Sequence, residues 1–63
     1  MKIKELRISA GLTQAQLADA MGVTQGMVAA WEQGANYPRA DKLPALAKAL
    51  GVSINDLYKE ESA

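Results

Sequence analysis

The chain has 63 residues with seven basic and seven acidic side chains, so its formal net charge is zero, and it contains neither cysteine nor histidine. These absences exclude disulfides, thiolate and imidazole metal sites, and histidine-based acid–base catalysis. A chain of this length can form one domain with a small core and modest stability. It has no apolar run long enough to span a membrane and no signal-peptide pattern, so we expect a cytoplasmic protein or a domain of one.

The first predicted helix covers residues 2–10. Its apolar side chains recur every three or four residues and therefore share one face, which carries Ile3, Leu6 and Ala10. Gly11 follows, at the position where a glycine commonly ends a helix.

Two further short helices are predicted over residues 14–21 and 25–33, separated by a turn at Gly22. Thr13 and Gln16 have the spacing of a capping box at the start of the first of these two helices. Their apolar faces carry Leu17, Ala18, Met21, Val28 and Trp31. Two helices joined by a short turn that contains glycine have the sequence outline of a helix-turn-helix, here over residues 14–33.

The C-terminal part of the chain contains two more predicted helices. One runs over about 41–50, with Pro44 in its first turn, where backbone N–H groups have no partner within the helix. The other begins after Ser53, and Asp56 occupies the position of a capping-box acid.

Five helices without any strand pattern predict an all-α bundle, with residues 1–63 as a single domain. The last helix is expected to close the core with Ile54, Leu57 and Tyr58. Residues 60–63 are expected to be frayed.

The order of apolar, capping and glycine residues resembles that of phage repressor and Cro-type helix-turn-helix domains. The matching positions are Leu12-Thr13-Gln14, Leu17-Ala18, Gly22-Val23-Thr24-Gln25, Val28, Trp31-Glu32, Gly34, Pro38, Leu43, Leu46-Ala47 and Ala49-Leu50-Gly51-Val52. The resemblance implies a compact, five-helix, lambda-repressor-like domain. It also implies binding to double-stranded operator DNA, usually as a homodimer, and repression of transcription.

In such a domain the helix over residues 25–33 lies in the major groove, with its first residues facing the base edges. Gln25 is the best candidate for base recognition, because its amide can pair with both N7 and N6 of adenine. Gly26 would let the backbone come close to the DNA, whereas Ala29 and Ala30 offer only methyl groups to thymine.

Contacts with the DNA backbone are expected at the start of the second helix, where unpaired N–H groups and the helix dipole attract anions. Gln14 adds a side-chain donor there, and the resemblance implies this role for it. The other candidates for backbone contacts are Thr24, Gln33, Asn36, Tyr37, Arg39 and Lys42. An alternative interpretation of Gln14 and Gln25 is a pair of ordinary surface amides. For the last four of the other candidates, from Asn36 to Lys42, the alternative is a solvated surface side chain.

The resemblance also pairs Arg7 in the first helix with Glu32 near the end of the third. We expect a partly buried ion pair that fixes these helices together, because the arginine fork suits a carboxylate; the alternative is two solvated charges. Trp31 is predicted to be a core side chain rather than a base-stacking one, since it shares an apolar face with Val28.

The neutral charge and the small side chains on the third helix depart from the family pattern. Phosphate contacts supply most non-specific affinity, and the chain has no lysine or arginine between residues 8 and 38. We therefore expect a transcriptional regulator that binds DNA weakly as a monomer and depends on dimerisation. The alternative is a protein-interaction or scaffold module, an engineered one included, that keeps the fold with weak or no DNA binding.

Catalysis is not expected, because histidine and cysteine are absent and no pair of carboxylates has catalytic spacing. We expect no cofactor, metal ion, small-molecule substrate or membrane partner. Val52, Ile54 and Tyr58 are candidates for a self-association surface, although the same side chains are suited to the core.

Overall fold

The computed structural model describes residues 1–58. Its helices are α1 Ile3–Ser9, α2 Gln14–Met21, α3 Gln25–Gln33, α4 Leu43–Leu50 and α5 Ile54–Tyr58, with a 3-10 turn over Ala40–Lys42 before α4. The described residues contain no strand. The predicted all-α, five-helix fold is confirmed, whereas the predicted fraying of residues 60–63 lies outside the described part.

A small apolar core joins all five helices. Its buried side chains are Ile3, Leu17, Ala18, Met21, Val28, Trp31, Leu46, Ala47, Leu50 and Leu57. Burying one large aliphatic side chain contributes about 1.5–3 kcal/mol, so this cluster is the main source of stability. Trp31 belongs to it, as predicted, and is therefore unavailable for stacking on bases.

The start of α2 and the turn between α2 and α3 are held by the local signals seen in the sequence. The Thr13 hydroxyl oxygen accepts a hydrogen bond from the Gln16 N–H at 3.0 Å, and the Gln16 side chain accepts one from the Thr13 N–H at 2.9 Å. Gly22 ends α2 with a φ of 71°, a left-handed conformation that glycine adopts at little cost. The Thr24 hydroxyl then caps α3 by accepting from the Met27 N–H at 3.2 Å. Because α2 and α3 pack against each other, their first turns have fixed positions.

The start of α4 differs from the prediction of one continuous helix over residues 41–50. Pro44 has no N–H and cannot donate to the carbonyl of Ala40, so regular α-helical bonding cannot include that pair. The chain instead forms a tighter 3-10 turn, in which the Lys42 N–H donates to the Arg39 carbonyl at 2.8 Å. The α-helix proper then begins at Leu43.

Three side chains expected in the core are exposed. Ala10 lies one residue past the end of α1, which is shorter than predicted, and its side chain faces solvent. In α5 only Leu57 is buried, while Ile54 is 41% and Tyr58 is 54% exposed. At 3.6 residues per turn, Ile54 and Tyr58 lie about 60° and about 100° around the helix from Leu57, so this short helix turns only Leu57 fully inward.

The helices within residues 1–58 have at most nine residues, which is too short to cross a membrane.

Candidate nucleic-acid interface

The outer surface of α3 carries mostly small side chains. Gln25 and Gly26 are exposed, and Ala29 and Ala30 are half-buried. Val28 lies on the opposite, buried side of the helix. The four residues proposed for base contacts therefore keep surface area outside the core, and among them only Gln25 has a polar side chain.

The first residues of α2 and α3 are joined by their side chains. Gln25 Nε2 donates a hydrogen bond to Gln14 Oε1 at 3.3 Å. Gln14 Nε2 in turn donates to Glu32 Oε1 at 3.0 Å. The two amides predicted for DNA contacts thus lie together at one end of the helix-turn-helix.

A partly buried ion pair supports these amides. Arg7 Nε lies 2.6 Å from Glu32 Oε2, and Arg7 Nη2 lies 3.3 Å from Glu32 Oε1. The two side chains are only 12% and 4% exposed. Arg7 Nη1 also donates to the carbonyl of Leu12 at 2.8 Å, so the guanidinium links α1, the loop before α2, and α3.

Each member of the pair stabilises the charge of the other. The hydrogen bond to Glu32 raises the pKa of Arg7, although burial opposes this effect. Burial alone would raise the pKa of Glu32, but the hydrogen bonds from Arg7 and Gln14, the charge of Arg7 and that of Lys4 outweigh it and hold this pKa below its ordinary value. Both groups are therefore ionised at neutral pH.

The other residues predicted to contact the DNA backbone keep surface exposure and do not bond to the two amides. Thr24, Gln33, Asn36, Tyr37 and Arg39 are exposed, and Lys42 is half-buried. Arg39 lies 3.8 Å from Asp41, in a pair whose side chains are 86% and 71% exposed. Within residues 1–58, no hydrogen bond joins any of these side chains to Gln14 or Gln25.

The link between Gln14 and Glu32 was not foreseen from the sequence. Gln14 was expected to face only DNA, and Glu32 only Arg7. Gln14 and Gln25 hold equivalent positions, because each is the first residue of a helix of the helix-turn-helix, and this was the sequence signal that could have joined the two amides. In the described part of the chain, no group of three or more histidine, cysteine, aspartate or glutamate side chains could hold a metal ion.

The sequence profile described as helix-turn-helix matches residues 3–57, which is most of the chain. The chain belongs to the helix-turn-helix family. The resemblance seen in the sequence is thereby confirmed, and the match spans α1 to the end of the α5 core contact at Leu57.

Relatives of this helix-turn-helix chain are named as regulators of transcription. It is 35% identical over 60 residues, 95% of its length, to the HTH-type transcriptional activator BcrR of Enterococcus faecalis. It is 34% identical over 59 residues, 94% of its length, to the cryptic phage CTXphi transcriptional repressor RstR of Vibrio cholerae. It is 35% identical over 57 residues, 90% of its length, to the uncharacterized HTH-type transcriptional regulator YgzD of Bacillus subtilis.

The share of each relative's length that the chain matches differs widely. It covers 29% of BcrR, 53% of RstR and 86% of YgzD. No solved structure gives a significant match to the chain.

Proposed function

We propose that this chain is the DNA-binding domain of a transcriptional regulator, with α3 in the major groove of double-stranded DNA. The observation that carries the proposal is the pair of hydrogen-bonded amides, Gln14 and Gln25, at the starts of α2 and α3. The family and the names of the relatives support it. Such a domain would act in the cytoplasm. It would not be an enzyme, because binding DNA requires no catalysis.

Base recognition would depend mainly on Gln25. Its amide can pair bidentately with adenine, a contact that contributes about 1–3 kcal/mol of discrimination against other bases. Gly26 would allow the backbone of α3 to approach the groove. The methyl groups of Ala29 and Ala30 would contact thymine methyl groups, which adds shape but little sequence information.

Phosphate contacts would begin at the first turn of α2. There the unpaired N–H groups and the helix dipole favour an anion, and Gln14 keeps a second amide hydrogen besides the one that it donates to Glu32. The flanking contacts would come from Thr24, Gln33, Asn36, Tyr37, Arg39 and Lys42. Since few of these are cationic, one copy of the domain would bind weakly, and a homodimer on two half-sites would supply the rest of the affinity.

DNA binding is the part of the function that an activator and a repressor share. BcrR is named an activator and RstR a repressor, and both extend well beyond the matched region. The direction of control would therefore be set by how the bound protein affects transcription, and repression is our proposal for this chain on the strength of its phage-repressor-like sequence.

Selection of bound sequences from a random duplex pool tests the proposal. The wild-type protein should enrich a motif, and fluorescence anisotropy at about 50 mM and about 200 mM salt should show binding that weakens as salt rises. Gln25→Ala should abolish the preference at one base pair. Asn55→Ala, which removes an exposed amide from α5, is the control and should leave the motif unchanged. Failure of the wild type to bind any duplex at low salt would contradict the proposal.

One observation favours a protein-interaction module instead. Met27 is 44% exposed and shares α3 with the half-buried Ala29 and Ala30, so the outer surface of α3 is largely apolar. Exposed apolar patches often mark protein contacts. If Gln25→Ala changes no DNA measurement while Met27→Gln weakens self-association or partner binding, this second function would replace the first.

A further inference from the structure

A carboxylate lies behind the two amides at the starts of α2 and α3. Glu32 Oε1 accepts a hydrogen bond from Gln14 Nε2 at 3.0 Å, and Gln14 Oε1 accepts one from Gln25 Nε2 at 3.3 Å. An ionised carboxylate can only accept hydrogen bonds. Gln14 must therefore turn its NH₂ group toward Glu32, and this leaves its oxygen facing Gln25.

The carboxylate itself has little freedom. Arg7 donates to both of its oxygens, at 2.6 Å and 3.3 Å, and donates again to the carbonyl of Leu12. Glu32 is only 4% exposed, so water does not compete strongly for it. The hydrogen bonds therefore have a fixed direction, since Gln25 donates to Gln14 and Gln14 donates to Glu32.

This direction decides what Gln25 can offer to a base. With one amide hydrogen committed to Gln14, Gln25 retains one N–H donor beside its oxygen acceptor. Adenine presents an acceptor, N7, beside a donor, N6, and so matches that pair. Guanine presents two acceptors, N7 and O6. It would match a Gln25 whose oxygen accepts a hydrogen bond from Gln14, because both N–H groups of Gln25 could then donate to the base.

We propose that Glu32 is a positioning residue that makes Gln25 select adenine over guanine, by setting the orientation of the Gln14 amide between them. The inference rests on the proposed function. It assigns Glu32 a role in specificity in addition to its ion pair with Arg7.

Glu32→Gln should reverse the direction of the bonds. The new amide oxygen should stay on Arg7 Nε, which makes the shortest contact, and its NH₂ group would then face Gln14. Gln14 would have to rotate and donate to Gln25. Gln25 would present two donors, so the preference at its base pair should shift from adenine toward guanine.

Gln14→Met breaks the same link without touching the ion pair. Methionine has a similar length and is a good helix former, so α2 should remain folded. Gln25 could then rotate freely, and its preference for adenine over guanine, about tenfold in the wild type, should fall to about onefold. This variant tests the inference even if Glu32→Gln is unstable.

The experiment measures the ratio of dissociation constants for two duplexes that differ only at the base pair read by Gln25. That pair is the one whose preference disappears in Gln25→Ala, and circular dichroism shows which variants are folded. A purely structural role for Glu32 would weaken binding to both duplexes and leave the ratio unchanged. The inference would be overturned, and DNA binding would not, if either folded variant kept the wild-type ratio or if the wild type preferred guanine. If the wild type showed no base preference that depends on Gln25, the proposed base recognition itself would be contradicted.

Discussion

At the scale of single residues, the Arg7–Glu32 pair is the most consequential contact outside the apolar core. Removing one partner from a buried pair leaves the other charge uncompensated and typically costs about 3–5 kcal/mol. We expect Arg7→Met and Glu32→Leu each to lower the free energy of unfolding by an amount in this range, measured by urea denaturation. The double variant should recover a large part of the lost free energy of unfolding, because it leaves no unpaired buried charge.

The Arg39–Asp41 pair provides the matched control for these variants. Its side chains are largely exposed and its charged atoms are 3.8 Å apart, a geometry that contributes about 0–1 kcal/mol. Arg39→Met should therefore hardly change the urea midpoint. If Arg7→Met were equally mild, the buried pair would not be structural.

The lowered pKa of Glu32 predicts a loss of stability in acid. The carboxyl of the unfolded chain titrates near pH 4.3, about its ordinary value, whereas the folded protein keeps Glu32 ionised to lower pH. Between these two pKa values the unfolded state binds more protons, so stability rises with pH there. The stabilisation is complete above the unfolded value and is lost as the pH falls through the folded pKa.

Urea midpoints at pH 7 and in steps below pH 4 would measure this effect of Glu32 protonation. The Arg7→Met, Glu32→Leu double variant corrects for the other carboxyl groups, since it lacks only this pair. We expect the wild type to lose more stability than the double variant over that interval. Parallel losses would show that Glu32 is not preferentially ionised in the folded state.

At the scale of helices, α3 combines good capping with a glycine in its first turn. A Cβ built on Gly26 would have its nearest neighbour, the Thr24 hydroxyl oxygen, at 3.9 Å, which is an ordinary contact. Gly26→Ala should therefore stabilise the fold by about 0.5–1 kcal/mol through helix propensity. If the bare backbone at Gly26 approaches the DNA, the same variant should bind its selected duplex more weakly.

Urea denaturation and anisotropy titration of Gly26→Ala would measure both effects of the substitution. Gly22→Ala is the contrasting control, because Gly22 has positive φ and an alanine there is strained, so its stability should fall. A Gly26→Ala protein with greater stability and unchanged DNA affinity would remove Gly26 from the contact surface.

Helix bounds were predictable from the sequence wherever local chemistry decides them. Thr13 and Thr24 accept hydrogen bonds from nearby backbone N–H groups, and Gly22 ends α2, so the bounds of α2 and α3 matched the prediction. The start of α4 and the burial of α5 were not predictable in detail. The missing N–H of Pro44 changed the helix type before Leu43. The short helix α5 buries only Leu57 against its neighbours.

The sequence indicated candidate members of the site, whose DNA contacts stay a prediction, but not the hydrogen bonds that connect them. Gln14 and Gln25 stood out because each begins a helix, and Arg7 and Glu32 because their positions match a family pattern. The hydrogen bond from Gln14 to Glu32 joins residues 18 positions apart. Such a contact depends on how the helices cross, and periodicity or capping signals contain no information about it.

At the scale of the whole molecule, the neutral charge limits what one copy can do on DNA. Among the residues proposed to contact DNA only Arg39 and Lys42 are cationic. The affinity gained from releasing counterions grows with the number of cationic contacts. Sequence recognition by one copy would rest largely on one glutamine. Two copies on adjacent half-sites would double the base contacts and the phosphate contacts without any change to the fold.

The proposed dependence on two copies predicts a requirement for half-site spacing. In two-fold symmetric helix-turn-helix dimers the recognition helices lie about 34–36 Å apart, so a dimer of this kind would need half-sites about 10–10.5 base pairs apart, centre to centre. A duplex carrying the selected half-site twice at that spacing should bind cooperatively in a gel-shift titration. Inserting about five base pairs moves the second half-site to the opposite face of the DNA, so this duplex should bind no better than two independent sites. Equal, non-cooperative binding to both duplexes would mean that copies act singly, and the affinity of the regulator would then have to come from contacts beyond residues 1–58.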